Sequence, residues 1–148
     1  MTTPGLATEV SSADDSTGLM LWRVTNAWQA AIRRALRPFG LTHVQFVLLA
    51  SLTWLGESAP TQQQLAEHAN TDPMMTSQVL RALEAKGLVV RSPHPSDGRA
   101  LVLRPTAAGV ELANRAVVAV EDCDRGFFDC LGPERSAFTR LLGLVAQR

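Results

Sequence analysis

The residues in this sequence best equipped for chemistry cluster between Gln62 and Arg99, and the chemistry they suit is hydrogen bonding to a charged or edge-presenting partner. Arg99 closes the run Ser96-Asp97-Gly98-Arg99, a turn-forming sequence between two short β-type stretches, which places a guanidinium at the tip of a hairpin. Upstream, Met74, Met75, Ser77, Gln78 and Arg81 fall on the outward side of one helical stretch. A helix with such a face beside an arginine-tipped hairpin suits the reading of a nucleic-acid duplex. The helix can enter the major groove while the hairpin reaches the neighbouring backbone or minor groove. Gln78 would favour adenine, whose edge offers an acceptor and a donor together, and the two methionines could touch thymine methyl groups or pack under the turn. Gln62, Gln63 and Gln64 open another helix whose first N–H groups could meet a phosphate, although capping by Gln64 accounts for the pattern without one.

Each signal has a plainer alternative. Arg81 is either a phosphate contact or a solvated side chain. Arg91 follows the first β-run and could pair with a nearby carboxylate. Asp97 could orient Arg99 or serve only the Asp-Gly turn. Trp22, Trp28 and Trp54 are core residues or the walls of a cleft for a small lipophilic or aromatic molecule. Cys123 and Cys130 lie seven residues apart on one expected apolar stripe, as small core residues or as a redox sensor bridging to a second subunit. The acidic neighbours Glu121, Asp122, Asp124 and Asp129 would raise a thiol pKa and disfavour reactivity. His43, His68 and His94 have no paired ligand spacing, so no metal site is expected. No Ser-His-Asp set, phosphate loop or paired-carboxylate motif points to an enzyme or a cofactor.

These side chains need a scaffold, and the periodicity supplies one. Residues 1–17 are rich in Thr, Ser, Ala and Asp without apolar periodicity and read as a disordered tail. From Leu19, apolar residues at Leu21, Val24, Trp28, Ala31, Ile32 and Ala35 mark a helix that stops at Arg37-Pro38-Phe39-Gly40. Thr42 to Gln45 and Thr61 to Gln64 are two capping boxes, opening a second and a third helix. Asp72-Pro73 opens a fourth, with inward residues Thr76, Val79, Leu80 and Leu83, ended by Gly87. The two short helices make a helix-turn-helix candidate. Leu88-Val89-Val90 and Leu101-Val102-Leu103 pair as a ribbon. A long helix follows Pro105-Thr106, apolar on two faces and broken at Gly132-Pro133, and a final helix carries Phe138, Leu141, Leu142 and Val145.

Composition bounds the rest. The chain has 148 residues, 46% hydrophobic, enough for one domain with a real core. Fourteen basic residues balance fourteen acidic ones, so net charge gives no hint of nucleic acid. Residues 59–105 hold Arg81, Lys86, Arg91, Arg99 and Arg104 against Glu67, Asp72, Glu84 and Asp97, an excess of only one. That weak footprint keeps a winged-helix protein-interaction module in play. No membrane span or secretory signal is apparent, and a cytoplasmic protein is the default reading.

LRPFGLTHVQFVLLASL, QQQLAEHA, VLRALEAKGLVVR, SDGRA and LRPTAAG follow one another in an order and spacing that resembles the MarR family of bacterial transcription regulators. The likeness covers roughly residues 19–148. It implies a mainly α fold: a winged helix-turn-helix with a small β-hairpin wing over residues 41–105, and an all-helical dimerisation region over 18–40 and 106–148. It further implies a homodimer on a palindromic DNA operator, and release of DNA when a small phenolic or lipophilic effector enters between dimerisation helices and reading head. By position, Ser77 and Gln78 match recognition-helix residues that contact DNA, Arg99 matches the wing arginine, and Asp97 the acid that orients it. Position 78 is often arginine in the family and is glutamine here.

Overall fold

The helices begin where the sequence places capping side chains. In this computed structural model, which describes residues 5–148, α1 spans Thr17–Leu36, α2 His43–Leu55, α3 Gln62–Ala69 and α4 Pro73–Ala85. Strands β1 (Val89–Pro93) and β2 (Leu101–Pro105) follow, then α5 (Ala107–Phe127) and α6 (Arg135–Ala146). Both capping boxes are closed in both directions. Thr42 Oγ1 accepts from the Gln45 amide while Gln45 Oε1 accepts from the Thr42 amide, each at 3.2 Å, and Thr61 and Gln64 do the same at 3.2 and 2.9 Å. The Asp72 carboxylate accepts from the Met75 amide at 2.9 Å with Pro73 at the first helical position, where its missing N–H costs nothing. Thr106 caps α5 through the Gly109 amide, 3.0 Å away.

One apolar cluster runs through the molecule. Ile32 and Leu36 of α1, Leu48, Leu49 and Leu52 of α2, Leu65 of α3, Leu80 and Leu83 of α4, and Val89 and Leu103 of the ribbon are all buried in it. Three of the four buried positions on α5 are small, Gly109, Ala113 and Ala116 beside Val120, which lets α1 and α2 both close against that helix. The approach is tightest at Gly109, where an added Cβ would lie 2.1 Å from the carbonyl oxygen of Leu88. No single helix among the described residues is long and apolar enough to cross a membrane.

The strands pair antiparallel from Val89 opposite Pro105 to Pro93 opposite Leu101. Each is longer than its apolar run, because the ladder continues through Arg91-Ser92-Pro93 on one side and Arg104-Pro105 on the other. A connection not foreseen from the sequence adds to β2: Thr61 bridges Val102, and the Leu103 amide donates to Pro60 O at 2.9 Å. The segment entering α3 is thereby fastened to the wing.

Two differences from expectation stand out. The helix start falls at Thr17, with Ser16 accepting from the Leu19 amide and a 3-10 turn at Ala13–Asp15, whose Asp14 pairs with Arg23 at 2.8 Å. Residues 1–4 of the expected tail lie outside the described residues. At the other end, α5 stops at Phe127 rather than running to Gly132. Phe127 and Phe128 pack edge to face at 5.0 Å and Phe128 meets Phe138 of α6 at 5.9 Å. Turning consecutive aromatic rings into that contact takes the chain off the helical path. Cys130 therefore lies in a 3-10 segment (Asp129–Glu134) and is exposed, so it does not share a buried stripe with half-buried Cys123.

Candidate nucleic-acid interface

The outward face of α4 carries the residues that the helical period assigns to it. Met74, Met75, Gln78 and Arg81 are exposed, while Thr76, Leu80 and Leu83 point into the core. At ~1.5 Å per residue, Met74 to Arg81 makes a strip about 10 Å long. Met74 is 72% exposed, too open for a residue packed under the turn. Ser77 is half-buried and its hydroxyl accepts from Arg81 Nη2 at 3.1 Å. That contact lays the Arg81 side chain back along the helix. Thr76 is held from within: its hydroxyl donates to Asp72 O at 2.8 Å and lies 2.6 Å from the Thr71 hydroxyl, so the turn before α4 is locked to its first turn.

The wing tip is organised by side chains that accept from the backbone. The Asp97 carboxylate accepts from the Arg99 amide at 3.1 Å, and among the described residues no ion pair joins it to the Arg99 guanidinium. Asp97 thus fixes the turn from which Arg99 projects. His94, which sequence reasoning left without a role, takes the amides of Ser96 and Asp97 on Nδ1, both at 3.1 Å. Its own amide donates to Ala100 O at 3.0 Å. The signal was present as an acceptor two and three residues ahead of free N–H groups at a Pro-bounded turn. Arg99 itself is exposed.

Gln62 stands at the first position of α3, half-buried, and its Oε1 accepts from Arg91 Nη1 at 3.2 Å. Arg91 also forms an ion pair with Glu84 of α4, the nearby carboxylate that the sequence left unnamed. Gln62, α4 and the wing are therefore brought together on one side of the molecule.

The three tryptophans are not brought together. Trp28 donates its indole N–H to Asp124 of α5 at 2.8 Å, meets the His43 ring of α2 edge to face at 5.1 Å, and lines an apolar cavity of about 280 Å³ with Val24, Phe128, Phe138 and Leu142. Trp54 is 86% exposed and borders a separate groove of about 330 Å³ between α2 and α5. Trp22 is exposed and lines neither. Burial lowers the pKa of His43 below its ordinary value; Asp124 opposes that effect and Arg33 adds to it. Burial, with the Asp124 charge, pushes the Cys123 thiol up, which disfavours the reactive thiolate.

Comparison with known proteins places these elements in a recognised setting. A family model described as the MarR family matches residues 41–101. YdcH of Bacillus subtilis (strain 168), an uncharacterized HTH-type transcriptional regulator, is 43% identical over 121 residues, 80% of this chain and 82% of the relative. Rv2887 of Mycobacterium tuberculosis (strain ATCC 25618 / H37Rv), an HTH-type transcriptional repressor, is 36% identical over 132 residues, 88% of this chain and 94% of the relative. The crystal structure of Rv2887 in complex with salicylic acid matches with a TM-score of 0.69 over 90% of this chain and 99% of that one. The transcriptional repressor CouR, bound to a 23-mer DNA duplex, matches with a TM-score of 0.83 at 25% identity, over 95% of this chain and 99% of that one.

Proposed function

The chain belongs to the MarR family, and from that premise we propose that it is a homodimeric transcriptional repressor that binds a palindromic operator and releases it when a small lipophilic or aromatic compound binds. Residues 41–105 are the reading head in this proposal, and 18–40 with 106–148 the dimerisation region. The observation that carries it is the exposed strip Met74, Met75, Gln78 and Arg81 beside a wing that ends in exposed Arg99. In this arrangement Gln78 and the two methionines meet base edges, Arg81 and Ser77 flank them, Gln62 faces a phosphate, and Asp97 holds the turn that delivers Arg99. CouR bound to duplex DNA supports the DNA partner, and Rv2887 with salicylic acid supports an aromatic effector.

Dimerisation is supported by α6, which buries no residue in the single chain and exposes Leu141, Leu142, Leu144 and Val145. With two heads in a dimer, operator affinity depends on their separation, about 34 Å for successive major grooves on one face of DNA. Trp28 sits where an effector could alter that separation, since one ring meets α2, α5 and the apolar cavity beside α6. The effector shifts the balance only by its difference in affinity for the two spacings. A cytoplasmic regulator with no catalytic role fits these relatives. The redox alternative through Cys123 and Cys130 has little support, given the raised thiol of Cys123 and its separation in structure from Cys130.

Selection of duplex fragments by the purified protein tests the proposal. A palindromic consensus is the expected result, with affinity falling steeply as salt rises. Recovery of no preferred duplex, with salt-insensitive capture of proteins instead, would favour the interaction-module reading. Arg99→Ala should weaken operator binding by about 1–3 kcal/mol at fixed salt.

A further inference from the structure

Three elements proposed to meet DNA converge on one guanidinium. Arg91 lies on β1 opposite Leu103. Its Nε pairs with Glu84 in the last turn of α4, and its Nη1 donates to Gln62 Oε1 at the start of α3, 3.2 Å away. The Arg91 and Glu84 side chains are only 24% and 33% exposed, so the pair is shielded from solvent more than an ordinary surface ion pair. A guanidinium is a planar fork whose donors leave at fixed angles, so two partners held at once fix the angle between the elements that carry them. Backbone contacts already tie the α3 entrance to β2 through Thr61 and Pro60. Arg91 adds the side-chain tie from β1 to α4. With Oε1 of Gln62 occupied, its amide nitrogen has no protein partner among the described residues and remains free to donate outward.

We propose that Arg91 is a positioning residue for DNA reading. It sets the wing against the recognition helix so that Arg99 and the α4 strip engage neighbouring grooves together, and it presents the Gln62 amide to the phosphate between them. In this arrangement Arg91 acts from within the head rather than on DNA: its Nε and Nη1 are turned to Glu84 and Gln62. Glu84 serves twice: it anchors the guanidinium, and its charge is neutralised on a face that meets phosphates. The proposal rests on the DNA-reading function above.

A double-mutant cycle on the full-length dimer and its selected operator tests it. Arg91→Met should weaken binding about tenfold in the wild-type background and only about threefold when Arg99→Ala is already present, since the wing contact is then gone and the Gln62 contribution alone remains. Arg91→Lys, which keeps the charge but not the fork, should restore only part of the loss. Glu84→Gln leaves the Arg91 charge in place and should show the same dependence on Arg99, which covers the case in which Arg91→Met does not fold. Equal losses in both backgrounds would mean a direct phosphate contact or a general loss of folded protein, and would overturn the proposal, as would unchanged binding.

Amide hydrogen exchange on the free dimer supplies a readout independent of DNA. Faster exchange in β1 and β2 of Arg91→Met or Glu84→Gln, with α1 and α5 unchanged, is expected; unchanged wing exchange would overturn the positioning role. If the wild-type protein selects no duplex, the DNA-reading function fails while the exchange arm still decides whether Arg91 holds the wing.

Discussion

The two ends of α5 lie in opposite surroundings. Its N-terminal end is enclosed by the reading head, where Thr106 donates from its amide to Leu88 O at 3.0 Å and from its hydroxyl to Gly87 O at 2.7 Å, and Gly109 is pressed on the Leu88 carbonyl. Its C-terminal end leads to α6, a helix with no buried residue and a row of exposed leucines. The head thus satisfies its caps and closes its core within one chain. The other end presents apolar surface that only another body can remove from water. One sequence contains a finished half and an unfinished half, and the proposed dimer is what finishes it.

The largest test of that contrast is Leu144→Glu. The charge should shift the dimer towards monomer and lower operator affinity by about 100-fold or more, because each head then binds its half-site alone. Sedimentation equilibrium with a gel-shift titration measures both, and a dimer that persists would break the comparison. Gly109→Ala strikes the finished end. Its Cβ has no room beside Leu88 O, so a loss of about 2–4 kcal/mol in denaturant unfolding is expected. Asp72→Ala removes the α4 cap and should cost about 1 kcal/mol in the same measurement.

His43 sits at the seam and gives the smallest effect. Burial holds its folded-state pKa below the ordinary 6.5, so the unfolded chain takes up the proton first. Its contribution is therefore nil well above pH 6.5 and becomes a loss of stability as pH falls through and below that value. His43→Gln should flatten this acid-side decline in thermal unfolding between pH 7.5 and 5.5. Parallel declines in the two proteins would assign the loss to other groups.

The head was far more legible in the sequence than the proposed dimerisation end, for a physical reason. Caps such as Thr42, Thr61 and Asp72 act on N–H groups three residues away, so local sequence is enough to specify them. The alternation of Thr76, Leu80 and Leu83 with Met74, Gln78 and Arg81 likewise needs only a helical period. What stayed hidden depends on distant partners: Gln62 with Arg91, 29 residues apart, and Trp28 with Asp124, 96 apart. The end of α5 differs from expectation because Gly132-Pro133 is the louder local signal, whereas Phe128, where the helix ends, finds its ring partner Phe138 on the next helix. A lone histidine reads first as a metal ligand, whereas His94 acts as the acceptor that closes a turn.

The clamp at Gly109 also has a mechanical side. With 21 residues, α5 is a rod of about 31 Å, so tilting its far end by about five degrees moves that end by about 2.7 Å. A glycine seated on a carbonyl leaves no compliant side chain at the fulcrum to absorb the tilt. In the proposed dimer, leverage of that kind makes the angle of α5, rather than any flexing of the head, the natural setting for the span between the two wings.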